Sequence, residues 1–194
     1  MDRRPDRGGG LTAAPRRADR MRMSIEHHLI DSGIVLPEPA APVASYVPVV
    51  VHDGLAHVSG QIPFNAEGAL MLGRMGEHVD LAFGARAAER CALMILAQLK
   101  AALGSLDRVE RIVKLGVFVA STPDFTDQPK VANGASDLMV RVFGDAGKHA
   151  RSAVGVPTLP LGVVVEVDAI VAIQRLILWP CSRKGPAEPL SCRS

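Results

Sequence analysis

The chain has 194 residues, 48% hydrophobic but only 4% aromatic, so it can bury one core and must build it from Val, Leu, Ile and Ala. Its net charge of +2 is unevenly placed: residues 1–22 hold seven Arg against three Asp, and residues 174–194 hold four basic residues against one Glu, which leaves residues 23–173 at −5. An acidic body argues against binding a phosphate backbone, and no apolar run reaches transmembrane length.

Residues 1–22 carry Arg, Gly, Pro and Ala without periodicity and read as a disordered basic tail; the absence of an apolar stretch argues against a secretory signal. Ser24 can cap a short helix over 25–32 that Gly33 ends. A Pro/Ala linker over 37–45 leads to two β-rich runs, 46–51 and 55–59, joined by the hairpin turn His52-Asp53-Gly54. Pro63 ends ladder pairing. A Gly-punctuated loop through Gly68, Gly73 and Gly76 follows, with a short strand expected at 69–72.

From Val79 to Leu103 the spacing predicts a long helix, since Arg86, Glu89, Arg90 and Lys100 fall within one arc and the rest is Ala, Leu, Ile, Met and Cys91. Gly104 ends it, and Ser105 can cap a turn over 106–109. A central strand is expected at 110–120 and a second helix from Asp124 or Phe125 to Phe143, with Asp124 as cap and Pro129 in its first turns. Strands at 152–157 and 163–173 close the domain, and residues 174–194 read as a second, disordered tail. This order predicts an α+β sandwich, a single domain over 23–173 with one sheet and both main helices on one face. Its Val-rich strands would leave an apolar sheet face open, which predicts burial against other subunits.

Candidate chemistry is sparse. The histidines have no ligand spacing, so no metal is expected, and Cys91 reads as core. Cys181 and Cys192 add no disulfide framework, which fits a reduced, cytoplasmic compartment. Two residues stand out: Arg151, opening a β-like segment, and Glu166, delivered by the run Val163-Val-Val165. In a strand buried on both faces, a carboxylate is costly unless paired. Arg151 and Glu166 are therefore either a structural ion pair between neighbouring strands or the groups that bind and act on a small carboxylate substrate. Ser59 and Gly60, at a strand end, could likewise form a turn or face a ligand.

Four segments taken together resemble the RidA/YjgF family of enamine/imine deaminases, also called endoribonuclease L-PSP. They are His57-Val-Ser-Gly-Gln-Ile-Pro-Phe-Asn65, Phe118-Val119 with Asp124-Phe125, Ala150-Arg-Ser152 and Val165-Glu-Val-Asp-Ala169. The likeness runs from Tyr46 to Ile173. It implies a chorismate-mutase-like fold with one mixed sheet, a homotrimer with clefts between subunits, no cofactor and no membrane. It also implies hydrolysis of 2-enamine/2-imine acids to 2-oxo acids and ammonia. By the same resemblance, Arg151 would hold the substrate carboxylate, Glu166 would position or activate water, and Ser59 and Gly60 would line the cleft with Tyr46. Asn133 would lie near the site, and Ala153 would contribute its backbone carbonyl where many members have Cys. Ala153, Gly155 and the 66–78 loop mark a divergent subgroup. Two other readings accompany this one: a non-catalytic trimer that binds a carboxylate metabolite, and a ribonuclease.

Overall fold

The computed structural model describes residues 24–39 and 45–175; the basic tail of 1–22, most of the Pro/Ala linker and the C-terminal tail beyond 175 lie outside the described residues. Ser24 caps α1 (Ile25–Asp31), its side chain accepting from the His27 N–H. This short helix is tied to the body through Glu26, which accepts from Ser105 Oγ at 3.0 Å and from the Leu106 N–H at 2.9 Å. Partial burial alone would raise the Glu26 carboxyl, but the bonds from Leu106, its own N–H and Ser105 outweigh it and hold the group below its ordinary value. A depressed folded pKa contributes stability above the unfolded value and loses it as pH falls. Glu26→Gln is expected to cost less than about 1 kcal/mol at neutral pH, because solvent reaches the site; urea unfolding measures it.

β1 (Val49–His52) and β2 (Leu55–Gln61) form the expected hairpin, with φ of 49° at Asp53 and 81° at Gly54. Two positive φ values in a two-residue loop match the strand twist, which is why Asp-Gly suits the corner. β1 begins later than the apolar run does, since Pro48 has no N–H to give a ladder. Residues 69–72 make only isolated bridges, Phe64 to Leu70 and Leu72 to Val163, in place of the expected short strand.

α2 (Leu81–Leu103) starts where Asp80 accepts from the Phe83 N–H at 2.7 Å, and ends at left-handed Gly104. Cys91 is fully buried on it, and burial pushes its thiol well up, as befits inert core. A turn capped by Ser105 leads into β3 (Val109–Ala120). α3 (Gln128–Phe143) begins later than expected, and Asp127 rather than Asp124 occupies its cap position. Pro129 gives the reason: only a first turn leaves an N–H unused, so the helix starts just before it. β4 (Ala150–Val156) and β5 (Val165–Ile173) complete the sheet.

The strand order is β1-β2-β5-β3-β4, antiparallel except for the β3–β4 pair, giving one mixed sheet. Ala56, Val58, Leu115, Val117, Val165, Val167 and Val171 are buried with α2 and α3 in a single core. β5 alternates buried and half-buried positions, so it is covered on one face only, unlike the doubly buried strand expected around Glu166. The open face carries Val50, Phe118, Val154 and Ile170 together with His57, Lys114, Glu166 and Asp168. Past β5, the Gln174 N–H donates to the Arg108 carbonyl at 2.8 Å and Arg175 pairs with Asp53, so these two residues belong to the fold rather than to the tail.

Candidate functional site

Arg151 is the second residue of the edge strand β4, paired in register with buried Leu115, so it projects to the helix side of the sheet. There Nη1 donates to Asn133 Oδ1 at 3.0 Å and to Ser136 Oγ at 2.9 Å, and Nη2 donates to the Pro129 carbonyl at 3.2 Å. Asn133 and Ser136 lie three apart on α3, hence on one side of it. A guanidinium has five N–H donors. Both on Nη1 and one on Nη2 are engaged, which leaves the Nε–H and the second Nη2–H. A guanidinium pairs its Nε–H with the Nη2–H beside it along one edge of its plane, and that edge is the fork that a carboxylate fits.

Glu166 sits on the opposite face. β2 carries an extra residue between Val58, which pairs with Ala169, and Gln61, which pairs with Val167. This bulge turns Gly60 toward β5. A Cβ on Gly60 would lie 1.8 Å from Glu166 Oε1, so the carboxylate rests directly on the glycine backbone. Asp168, two residues on, does the same over Gly116, whose N–H it accepts at 3.0 Å. Burial first, and the Asp168 carboxylate second, push the Glu166 carboxyl above its ordinary value. A half-buried carboxylate tuned upward in this way is a better base than a solvated one.

Arg151 and Glu166 therefore make no ion pair. Glu166 pairs with Phe118, and Phe118 with Val154. That places the two backbones two strands and three residues apart, about 14 Å, on opposite faces of the sheet. Asn133 joins Arg151 and Gly60 joins Glu166. Ala153 lies two residues from Arg151 on the same side of β4, packed against the core. The Ser59 hydroxyl donates to the Val47 carbonyl at 3.0 Å, pinning the chain that enters β1 instead of standing free. Tyr46, just ahead of that anchor, is 52% exposed. Asp168, Gly116 and Ser136 had no role in the sequence reading. The signal for Asp168 is its i+2 spacing from Glu166 on one strand, and for Ser136 its i+3 spacing from Asn133 on one helix.

Two clefts on the molecule are lined by none of these residues. One of about 450 Å³ is lined by Val35, Phe64, Arg90 and Met94. A smaller one of about 290 Å³ lies farther along β4, between Arg74, Ser121, Gln128 and Gly155. Among the described residues, no helix is long and apolar enough to cross a membrane.

The mixed sheet, two helices on one face and a split pair of charged groups define an α+β protein of the chorismate-mutase-like architecture. Residues 26–172 match the family model described as "YjgF/chorismate mutase-like, putative endoribonuclease", and the chain belongs to that family, also known as RidA/YjgF. It is 54% identical over 142 residues to Protein TCP17 of Trypanosoma cruzi, covering 73% of this chain and 89% of that one. Among solved structures it resembles a protein described as "a putative endoribonuclease" from Shewanella oneidensis. That match has a TM-score of 0.74 and 32% identity, over 78% of this chain and all of the other. It also resembles Escherichia coli TdcF with bound serine, with a TM-score of 0.51 and 25% identity, over 71% of this chain and 94% of the other.

Proposed function

We propose that the protein hydrolyses 2-imino acids to 2-oxo acids and ammonia, in clefts shared between the subunits of a homotrimer. The observation that carries this reading is that Arg151 is held by three partners on α3 through Nη1 and Nη2 while its Nε–H and a second Nη2–H stay unspent. Arg151 is a pre-set receptor for a carboxylate, and a small amino acid bound to TdcF is a ligand of that chemistry.

In the proposed reaction the Glu166 carboxylate takes a proton from water as the water oxygen bonds to the imine carbon. The C=N π electrons move to nitrogen, which takes the proton back from Glu166 to give a neutral carbinolamine. Glu166 then moves the carbinolamine hydroxyl proton to nitrogen as the C–N bond breaks, so ammonia leaves and the carbonyl forms. An imine carbon is already electrophilic, so orientation of two reactants supplies most of what is needed. No cofactor enters this scheme.

One subunit cannot perform it, because its own Arg151 and Glu166 face opposite sides of the sheet. The Arg151 edge of one copy has to meet the Glu166 face of another, and the open-face residues Val50, Phe118, Val154 and Ile170 supply apolar contact for that meeting. Light scattering at micromolar concentration is expected to return three times the chain mass; a monomer would defeat the shared-cleft reading.

The direct test generates 2-aminoacrylate from serine with a dehydratase and follows pyruvate. Adding the protein is expected to speed pyruvate release, and an unchanged rate would overturn the proposal. The family's description favours RNA cleavage as a second reading, with Arg151 holding phosphate. The net −5 of residues 23–173 weighs against it, and RNA cleavage by the protein with no effect on the imine would select it.

A further inference from the structure

Behind Arg151 lies a relay of groups that the proposed reaction does not use. Ser136 Oγ, 2.9 Å from Arg151 Nη1, is also 3.0 Å from His149 Nε2, and His149 Nδ1 is 2.6 Å from the Gly147 carbonyl. All three side chains are half-buried. Ser136 comes from the middle of α3, and His149 from the residue just before β4.

The donor and acceptor roles along this relay are fixed by elimination. The Gly147 carbonyl can only accept, so His149 Nδ1 carries a proton and donates it. A guanidinium can only donate, so the Ser136 oxygen accepts from Arg151. The Ser136 proton is then free to point at His149 Nε2, which accepts it when the ring is neutral. Every group in the chain has a partner and a single direction. Such a run of bonds orients its terminal member more tightly than one contact does.

We infer that Ser136 and His149 are positioning residues for carboxylate recognition, His149 acting through Ser136 to fix the Arg151 guanidinium with its free edge toward the ligand. The inference rests on the reading of Arg151 as the carboxylate anchor. The relay takes up one Nη1 hydrogen, and Asn133 takes the other. Without the relay, that nitrogen regains a donor and the guanidinium can turn about its Cδ–Nε bond, so the fork is no longer pre-set. The cost falls on ligand binding, since preorganisation is what is lost.

The test uses the full chain with pyruvate as a carboxylate probe, its affinity measured by calorimetry beside imine turnover and melting temperature. Ser136→Ala is expected to weaken pyruvate binding and raise KM by about tenfold, the scale of one hydrogen bond to a charged group, with kcat little changed. Ser136→Thr keeps the hydroxyl and is expected to stay within about threefold of wild type, the scale of a fraction of that bond. His149→Ala is expected to weaken binding in the same direction by less, and to add nothing in the Ser136→Ala background, as for two members of one network. A purely structural relay predicts instead lowered melting temperatures with unchanged pyruvate affinity, which would overturn the inference. Additive effects of the two substitutions would overturn the claim that His149 works through Ser136. Should Ser136→Ala fail to fold, the His149→Ala affinity alone decides, and wild-type affinity there defeats it. Arg151→Ala separates the two levels. If it binds pyruvate like wild type, the anchor reading itself falls; if it loses pyruvate while Ser136→Ala and His149→Ala keep it, only the relay falls.

Discussion

Arg151→Ala is expected to abolish imine hydrolysis while the protein keeps its fold, its assembly and a melting temperature close to wild type. Each part of that outcome has its own cause. The fold survives because Arg151 balances no buried carboxylate: its partners are a side-chain amide, a hydroxyl and a backbone carbonyl. Asn133 faces solvent and can take water in its place. Activity fails because the substrate carboxylate would enter the cleft without its two-donor fork. Losing charge-assisted contacts and leaving the anion unmatched costs about 2–5 kcal/mol, on the order of 30- to 5000-fold in kcat/KM. Arg151→Lys is expected to recover little. An ammonium is a point charge on a flexible stem and cannot donate to the three α3 anchors while presenting a flat edge. Turnover and thermal melting on both variants check this, and an active, folded Arg151→Ala would leave the residue with no role in the site.

The parts of this molecule legible from sequence are those fixed locally. Asp53-Gly54 specifies a hairpin corner, the apolar arc of α2 specifies a covered helix, and Ser24 specifies a cap; each appears in the structure within a residue or two. The start of α3 was less legible: Asp124 is a good cap by residue type, yet the helix begins after Asp127, whose side chain makes no capping bond, and the position of Pro129 accounts for the difference. The site was legible as residue types and not as geometry. A run of valines around Glu166 looks like a doubly buried strand. Which face a carboxylate takes depends on pairing, and the extra residue at Ser59-Gly60 that aims Gly60 under Glu166 is a property of two strands together. For the same reason, Arg151 and Glu166 could be read as one ion pair. Spacing along the chain does not reveal that the β3–β4 register sends Arg151 to the helix side and the β3–β5 register sends Glu166 to the other. The relay through Ser136 and His149 joins a helix to the entrance of a strand, which no linear motif encodes.

Glu166→Gln is expected to separate chemistry from binding and, at neutral pH, to make the protein more stable than wild type. The amide has nearly the shape of the carboxylate and can still rest on Gly60, so pyruvate affinity should hold. It cannot take a proton from water, so kcat should drop by about 10²- to 10⁴-fold, the usual worth of a positioned general base. The stability gain follows from the direction of the shift. Burial and Asp168 hold the folded Glu166 carboxyl above its ordinary value of 4.5. Between the unfolded and folded pKa values the native state binds more protons than the unfolded one, so stability falls as pH rises through that window. Above it, both states are ionised and the native state carries an unfavourable charge that Gln removes. The gain in melting temperature should therefore be largest at neutral pH and shrink toward zero as pH falls to about 4.5, where the unfolded carboxyl is itself protonating. A site that holds a destabilising group for its chemistry shows this exchange of stability for activity. Gly60→Ala is the complementary change, since its methyl would occupy the position of the Glu166 carboxylate. It should slow turnover as Glu166→Gln does, but lower the melting temperature rather than raise it, because the carboxylate is displaced and not neutralised. Melting curves at pH 4.5 and pH 7 beside turnover decide the matter. A Glu166→Gln protein as active as wild type would remove Glu166 from the reaction, and one less stable at pH 7 would mean that the carboxylate has a favourable partner after all.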